Sequence, residues 1–198
     1  MSKNKPQMII VGGPNGAGKT TFVLETQGER SITYIGADQI AAEIRPDNPA
    51  AIAIAAGREF LRRINESIEN QESIIVETTL SGKSFVHTIQ RAKQAGYQII
   101  IQMIFVESSN DSLQRVEARV RRGGHHVPSI DVQRRFPRSL QNFWLRYREL
   151  ADQWLLTYNG VHGRQDVARF DGRSFQVFDE VLFEFYMQLA EFENDSKE

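Results

Sequence analysis

The sequence contains no cysteine, no apolar stretch of 18 residues and no excess of either charge. The lack of cysteine excludes disulfides and cysteine-ligated metal sites. Without a long apolar stretch, the sequence offers no candidate transmembrane helix. The 24 lysines and arginines and the 25 acidic residues leave a net charge of −1. This balance provides no general attraction to nucleic acid or to anionic membranes, and we expect neither as a partner.

The size and composition predict a single globular domain. A chain of 198 residues, 40% of them hydrophobic, can bury a full core. The first seven residues include no apolar signal segment. Together with the lack of cysteine, this predicts a cytoplasmic protein.

Strand-like and helix-like segments alternate along the chain. The strand candidates are Met8–Val11, Ser31–Ile35, Ser73–Thr78, Gln98–Val106 and Trp154–Tyr158. The helix candidates cover about residues 18–27, 38–45, 49–70, 82–95, 109–122, 129–150 and 175–192. The last two helices carry apolar stripes that we expect to face the core, and these stripes include Phe143 and Tyr147 in the first helix and Phe178 and Val181 in the second. Short apolar strands between helices predict an α/β fold, with a parallel sheet and helices on both faces.

A phosphate-binding loop (P-loop) is the strongest motif. After Met8–Val11 the sequence fits G-x-x-x-x-G-K-[ST] at every fixed position, and a helix-compatible stretch follows. In such a loop the backbone N–H groups surround a phosphate, the lysine reaches the β- and γ-phosphates, and the last hydroxyl holds Mg²⁺. The motif therefore predicts nucleotide binding, with Thr20 as the metal ligand. The residues assigned to the nucleotide are Gly13, Pro14, Asn15, Gly16, Ala17, Gly18, Lys19, Thr20 and Thr21.

Two acidic residues lie at or just after the carboxyl ends of predicted strands, at the edge of the sheet where ligands bind in such folds. Asp38 can take the proton of an acceptor hydroxyl, or it can cap the helix that follows, and the spacing supports both interpretations equally. Glu77, followed by Thr78 and Thr79, can bind a polar substrate or, through water, Mg²⁺. The alternative is a solvated or arginine-paired acid. Because the P-loop shares this edge, we favour a functional role for Glu77.

An arginine-rich segment covers residues 115–138. Seven arginines and two acidic residues lie there, and the pair Gly123-Gly124 separates two helix candidates. This arrangement is typical of a mobile lid, about residues 109–140, whose guanidinium groups close on a transferring phosphoryl group. The alternative is a solvated charged face. The adjacent histidines His125 and His126 lack a carboxylate or thiol partner nearby and make a poor metal site.

These motifs resemble the zeta toxin family, in its short single-domain members. The resemblance covers about residues 8–170. It lies in the P-loop, the Asp38 segment with Ile44-Arg45-Pro46, the segment Glu77-Thr78-Thr79-Leu80, and the arginine-rich segment with Gly-Gly-His-His-Val-Pro at 123–128. The resemblance implies a P-loop kinase fold with strand order 2-3-1-4-5.

The resemblance also implies an activity. Family members transfer a phosphoryl group from ATP or GTP, with Mg²⁺, to a sugar-nucleotide hydroxyl, best known as the 3′-OH of the sugar in UDP-N-acetylglucosamine. By position, Asp38 matches the base, and Glu77 and Thr79 match the substrate-binding pair. Lys19, Arg119 and Arg135 complete the catalytic candidates, and the lid supplies further substrate-binding candidates, Arg115, His125 and Arg134. The family implies a separate antitoxin protein as partner.

We therefore expect a P-loop kinase acting on an alcohol group of a small polar metabolite, a nucleotide sugar in the first instance. One alternative is a kinase of another hydroxyl, on an antibiotic or a nucleic-acid end. A second is a nucleotide-binding switch without transfer. The kinase hypothesis predicts a deep acceptor pocket between Asp38 and Glu77, and the switch hypothesis predicts none.

Overall fold

The computed structural model describes residues 5–27, 32–45, 49–124 and 126–191. Within these ranges seven strands form one sheet: β1 (Gln7–Gly12), β2 (Thr33–Gly36), β3 (Ile74–Thr78), β4 (Gln98–Phe105), β5 (Gln153–Gly160), β6 (Gly163–Phe170) and β7 (Phe175–Val177). The α-helices are α1 (Lys19–Gln27), α2 (Ala37–Ile44), α3 (Ala53–Glu69), α4 (Phe85–Gln94), α5 (Ser109–Arg121), α6 (Ser129–Asn142) and α7 (Glu180–Glu191). A 3₁₀ turn, Pro49–Ile52, precedes α3. None of the described helices has the length and apolarity needed to cross a bilayer.

The strand order is β2-β3-β1-β4-β5-β6-β7, and the first five strands are parallel. The expected α/β fold with order 2-3-1-4-5 is therefore confirmed. The connection from β1 to β2 runs in the opposite direction across the sheet to the later connections, so right-handed crossovers place helices on both faces. In the β1–β3 register Val11 pairs with Glu77, which places Glu77 beside the end of the P-loop strand.

The centre of the sheet forms the main core. Buried strands covered on both faces need near-continuous apolar sequence, and β4 meets this requirement. Ile99, Ile101, Met103, Ile104 and Phe105 on β4 are all fully buried. This packing gives the loops at the carboxyl ends of β1 and β3 a firm base.

The helix predicted over 129–150 has a more complex form. Regular α6 ends at Asn142 and continues as a π-helical turn, Phe143–Tyr147, and a 3₁₀ turn, Arg148–Leu150. Phe143 and Tyr147 are both fully buried in the wider π turn, as the predicted apolar stripe required. The position of the stripe was right, and the continuous α-helical pattern was wrong.

The prediction of a helix over 175–192 was wrong at its start. Phe175–Val177 pairs with β6 as an antiparallel strand, and the helix begins at Glu180. The Asp179 side chain accepts a hydrogen bond from the Leu182 N–H at 2.9 Å, a typical N-cap contact that sets this boundary.

The predicted core face of this helix was also wrong in part. Phe178 and Val181 are more than half exposed, and Tyr186 supplies the fully buried contact instead. Sequence reasoning missed β6 as well, because only Val167 and Ala168 in it are buried and the rest of the strand reads as polar.

Candidate active site

The loop between β1 and α1 depends on glycine. It runs over residues 13–18, and α1 begins directly after it at Lys19. Gly13 has a φ of 142°, and a Cβ atom there would clash with the carbonyl oxygen of Ile104 on β4. The first turn of α1 leaves unpaired backbone N–H groups at this loop, where the helix dipole is positive. The loop is therefore suited to a phosphate.

Lys19 is a buried cation at the start of α1. Only 7% of the residue is exposed, and its Nζ donates a hydrogen bond to the carbonyl oxygen of Pro14 at 2.9 Å. Burial lowers the pKa of Lys19 from its ordinary value of 10.5. Two carboxylates raise this pKa and two guanidinium groups lower it, and these four neighbours are Glu77, Asp38, Arg119 and Arg135. The electrostatic environment of Lys19 thus includes every other charged residue that we predicted to be catalytic.

Glu77 accepts hydrogen bonds from two hydroxyl groups. The Thr20 Oγ1 donates to Glu77 Oε2 at 2.9 Å and to Oε1 at 3.2 Å. The Tyr34 hydroxyl, on β2, donates to Glu77 Oε2 at 2.5 Å. Glu77 is therefore not simply a solvated acid or the partner of an arginine. Tyr34 was missed by sequence reasoning, because its contact with Glu77 joins residues on two neighbouring strands.

Asp38 lies in the first turn of α2. The capping position of this helix belongs to Gly36, and no side-chain cap bond is made there within the described residues. The interpretation of Asp38 as the helix cap was therefore wrong. Its exposed carboxylate borders the same cavity as Lys19 and Glu77.

A cavity of about 1380 Å³ joins these elements. Its wall includes twelve of the predicted site residues: Asn15, Gly16, Gly18, Lys19, Thr20, Thr21, Asp38, Glu77, Thr79, Arg115, Arg119 and Arg135. Unpredicted wall residues include an apolar group, Leu24, Ile32 and Phe60, together with Tyr34 and Arg122. The structure therefore brings the P-loop, both carboxylates and several arginines of the predicted lid to one site.

The remaining predicted residues lie elsewhere. Gly13, Pro14 and Ala17 belong to the loop but are buried outside the cavity wall. Arg134 also lies outside the wall, where it pairs with Asp131 at 2.6 Å, and its side chain is 53% exposed. His125 lies outside the described residues.

Asn159 connects the P-loop to the arginine-rich segment. The Asn159 side-chain Nδ2 donates a hydrogen bond to the Ala17 carbonyl oxygen at 2.9 Å. The Asn159 backbone carbonyl oxygen accepts a hydrogen bond from Arg115 Nη2, also at 2.9 Å. Arg115 also pairs with Asp111 at 2.9 Å. Sequence reasoning did not select Asn159, although a polar residue near the carboxyl end of β5 meets the rule that identified Asp38 and Glu77.

The turn after α5 packs on Arg119. The Gly124 N–H donates to the Arg119 carbonyl oxygen at 3.0 Å. A Cβ atom on Gly124 would lie 2.6 Å from Arg119 Cγ, so the close contact requires glycine. Gly124 thus packs against the side chain of a predicted catalytic arginine.

Polar side chains of α6 and the π turn hold the segment after β3. Ser139 Oγ donates to the Thr79 carbonyl oxygen, and Tyr147 donates to that of Gly82. Asn142 Nδ2 donates to the carbonyl oxygens of Leu80 and Ser81, at 3.1 and 3.0 Å. Leu80, which has a φ of 54°, is thereby kept in an uncommon left-handed conformation. The position of Thr79 in the cavity wall therefore depends on α6.

The strand order and the P-loop after β1 define a P-loop kinase-like fold. The family model described as Zeta toxin matches residues 1–153. The chain belongs to the zeta toxin family, as its motifs suggested.

One relative and two solved structures extend the comparison. An uncharacterised Haemophilus influenzae protein is 33% identical over 128 residues, which cover 65% of this chain and 91% of that protein. The structure of AvrRxo1-ORF1:-ORF2 with ATP matches with a TM-score of 0.72 and 18% identity, covering 95% of this chain and 64% of the other. The structure of the PezAT toxin–antitoxin system of Streptococcus pneumoniae matches with a TM-score of 0.64 and 17% identity, covering 94% of this chain and 80% of the other. At these identities the two structures show a shared fold.

Proposed function

We propose that this protein is a kinase that transfers the γ-phosphoryl group of ATP or GTP to a hydroxyl of a nucleotide sugar such as UDP-N-acetylglucosamine. One observation carries the proposal. The P-loop, Asp38, Glu77 and four arginines of the arginine-rich segment border a single cavity of about 1380 Å³. Sites for one small molecule commonly occupy about 300–1,000 Å³, so this cavity has room for a nucleotide and an acceptor. A nucleotide-binding switch would not need that second space.

Each side chain has a defined task in this proposal. The P-loop N–H groups and Lys19 bind the β- and γ-phosphates. Asp38 takes the proton from the acceptor hydroxyl, whose oxygen bonds to the γ-phosphorus while the bond to the nucleoside diphosphate breaks. Arg119 and Arg135 stabilise the charge on the transferring group.

The residues present fit a magnesium ion. Among the described residues, no cluster of three or more acidic or histidine side chains could hold a metal alone. Magnesium in kinases suits such a site, because it takes one or two protein ligands and completes its shell with water and phosphate oxygens. Thr20 would bind it directly through its hydroxyl oxygen, while Glu77 accepts the hydrogen bond that the Thr20 hydroxyl donates. The ion would neutralise charge on the β- and γ-phosphates.

The acceptor side of the site combines Glu77 and Thr79 with an apolar wall. The carboxylate and hydroxyl suit sugar hydroxyl groups, and Phe60 and Leu24 offer apolar surface at the same cavity. We propose that a lid of about residues 109–140 closes over both ligands. Its moving part ends before Ser139, because Ser139 and Asn142 are bonded to the segment after β3. A separate antitoxin that covers the nucleotide site is the proposed partner, since the similar PezAT structure is a toxin–antitoxin system.

A transfer assay with γ-labelled ATP or GTP and a panel of nucleotide sugars tests the proposal. Asp38→Asn should keep nucleotide affinity within a few-fold and lower transfer by about 10²–10⁴, the usual contribution of a general base. Lys19→Ala should weaken binding and transfer together. Glu180→Gln removes an exposed carboxylate outside the cavity and serves as the control.

Two results would contradict the proposal. Nucleotide binding without transfer to any hydroxyl in the panel or in a bacterial metabolite extract would favour the switch. Transfer that survives within tenfold in Asp38→Asn would remove Asp38 from the base role.

A further inference from the structure

Tyr34 is a polar residue of the cavity to which the proposed reaction assigns no role. It lies on β2, is half-buried, and borders the cavity. Its hydroxyl contacts the same Oε2 atom of Glu77 that receives the Thr20 hydrogen bond, at 2.5 and 2.9 Å. Two hydroxyl groups from different elements therefore converge on one carboxylate oxygen.

The direction of these hydrogen bonds follows from charge. A carboxylate has no proton to donate, so the Tyr34 hydroxyl donates the hydrogen bond to Glu77 Oε2. The Thr20 hydroxyl likewise uses its only proton in the hydrogen bond that it donates to Glu77. The lone pairs of the Thr20 oxygen are then available to a cation, because hydroxyl oxygen accepts through its lone pairs.

We propose that Tyr34 is a positioning residue for the metal side of the site: it orients the Glu77 carboxylate, which in turn orients the Thr20 hydroxyl toward nucleotide-bound Mg²⁺. This inference rests on the proposed nucleotide binding by the P-loop. Without the Tyr34 hydroxyl, Glu77 loses one of its two hydroxyl donors and is free to turn away from Thr20. Thr20 would then lose its fixed orientation.

Tyr34→Phe removes a single oxygen atom and tests this role. The measurement is the dissociation constant of a non-hydrolysable ATP analogue by calorimetry, across a magnesium titration and in excess chelator. Partners that orient metal ligands commonly contribute about 10–100-fold in metal affinity, so we expect Tyr34→Phe to need about tenfold more Mg²⁺ for half-maximal tightening of binding. Affinity in chelator should not change.

Tyr97→Phe is the matched control. The Tyr97 hydroxyl donates to the carbonyl oxygens of Ser67 and Glu72, both at 2.7 Å, and the residue lies outside the cavity wall. It should leave the magnesium dependence unchanged. Glu77→Gln tests the same connection from the carboxylate side and should shift the magnesium dependence of nucleotide binding in the same direction. In the double variant, Tyr34→Phe should shift that dependence little further, because the two residues act as a unit.

Several results would overturn the inference. If the wild-type protein binds nucleotide and Tyr34→Phe leaves the magnesium dependence unchanged, that result by itself would overturn the inference. So would a higher KM for the acceptor as the only effect, because Tyr34 would then bind acceptor. Equal losses with and without magnesium would make the residue merely structural. A wild-type protein that binds no nucleotide would instead overturn the proposed function, and this inference with it.

Discussion

The P-loop and the arginine-rich helices border the same cavity but are supported very differently. The P-loop strand β1 is part of the main core, where Met8 and Ile10 are fully buried. Most buried apolar residues described in the arginine-rich region form a small separate cluster of Val116, Val127 and Val132, and Phe136 belongs to the main core. Few buried apolar contacts give a region low local stability. We propose that the phosphate platform, which consists of β1 and the P-loop, is fixed, whereas the arginine-rich region moves at lower cost.

Charged contacts show the same contrast. Lys19 is buried among charges at the P-loop, whereas Arg134 and Asp131 form an exposed pair on α6. Exposed ion pairs add about 0–1 kcal/mol, which is too little to hold a lid in one position. Asn159, bonded to both Ala17 and Arg115, connects the platform to α5.

Among the changes that compare the platform with the arginine-rich region, removing the arginines that border the cavity should have the largest effect. Because they act mainly on the transition state, Arg119→Ala or Arg135→Ala should lower kcat by about 10²–10³ and raise KM less. Lysine should restore only part of the activity, since it lacks the planar fork of arginine. Steady-state kinetics with the identified acceptor measures this.

Arg121→Ala is the control for this prediction. Arg121 is exposed on α5 and lies outside the cavity wall. It should change kcat little. Unchanged turnover in all three alanine variants would mean that the arginines form only a solvated face.

The second prediction compares the two cores directly. Val23 on α1 and Val132 on α6 are both fully buried in helices, one in the main core and one in the lid cluster. Val23→Ala should lower the global free energy of unfolding by about 1–3 kcal/mol. Val132→Ala should lower it less, because the lid cluster can open without unfolding the main core.

Urea unfolding would measure the global free energy of unfolding, and hydrogen exchange would measure local opening of the cluster around Val132. In Val132→Ala we expect faster exchange confined to the region of residues 113–132. Equal losses of global stability in the two variants would show that lid and platform unfold as one unit.

The smallest effect concerns Lys19 and pH. Its lowered pKa means that part of the Lys19 population is neutral in the alkaline range below 10.5, where the unfolded chain binds more protons. Stability should therefore rise with pH in that window. Phosphate raises the pKa again, so nucleotide binding there should take up a fraction of a proton. Calorimetry in buffers of different ionisation heat measures the uptake, and Lys19→Ala should abolish it.

Much of the platform was predictable because its signals are local. The P-loop pattern lies within residues 13–21, and the strand-end rule selected Asp38 and Glu77 from their immediate surroundings. The order of the first five strands followed from the family resemblance. Sequence patterns failed at the sheet edge, where β6 exposes most of its length and β7 has only three residues.

The sequence by itself determined the fold class, the phosphate-binding loop and the acidic residues at the strand ends, because each depends on neighbours along the chain. Tertiary structure decided which distant groups meet. Tyr34 reaches Glu77 across 43 positions, and Asn159 reaches Ala17 across 142. Hydrogen bonds need an alignment of a few tenths of an ångström, and strand register and helix packing set that alignment. For that reason the orientation of Glu77 and the exclusion of Arg134 from the cavity wall emerged only from the folded chain.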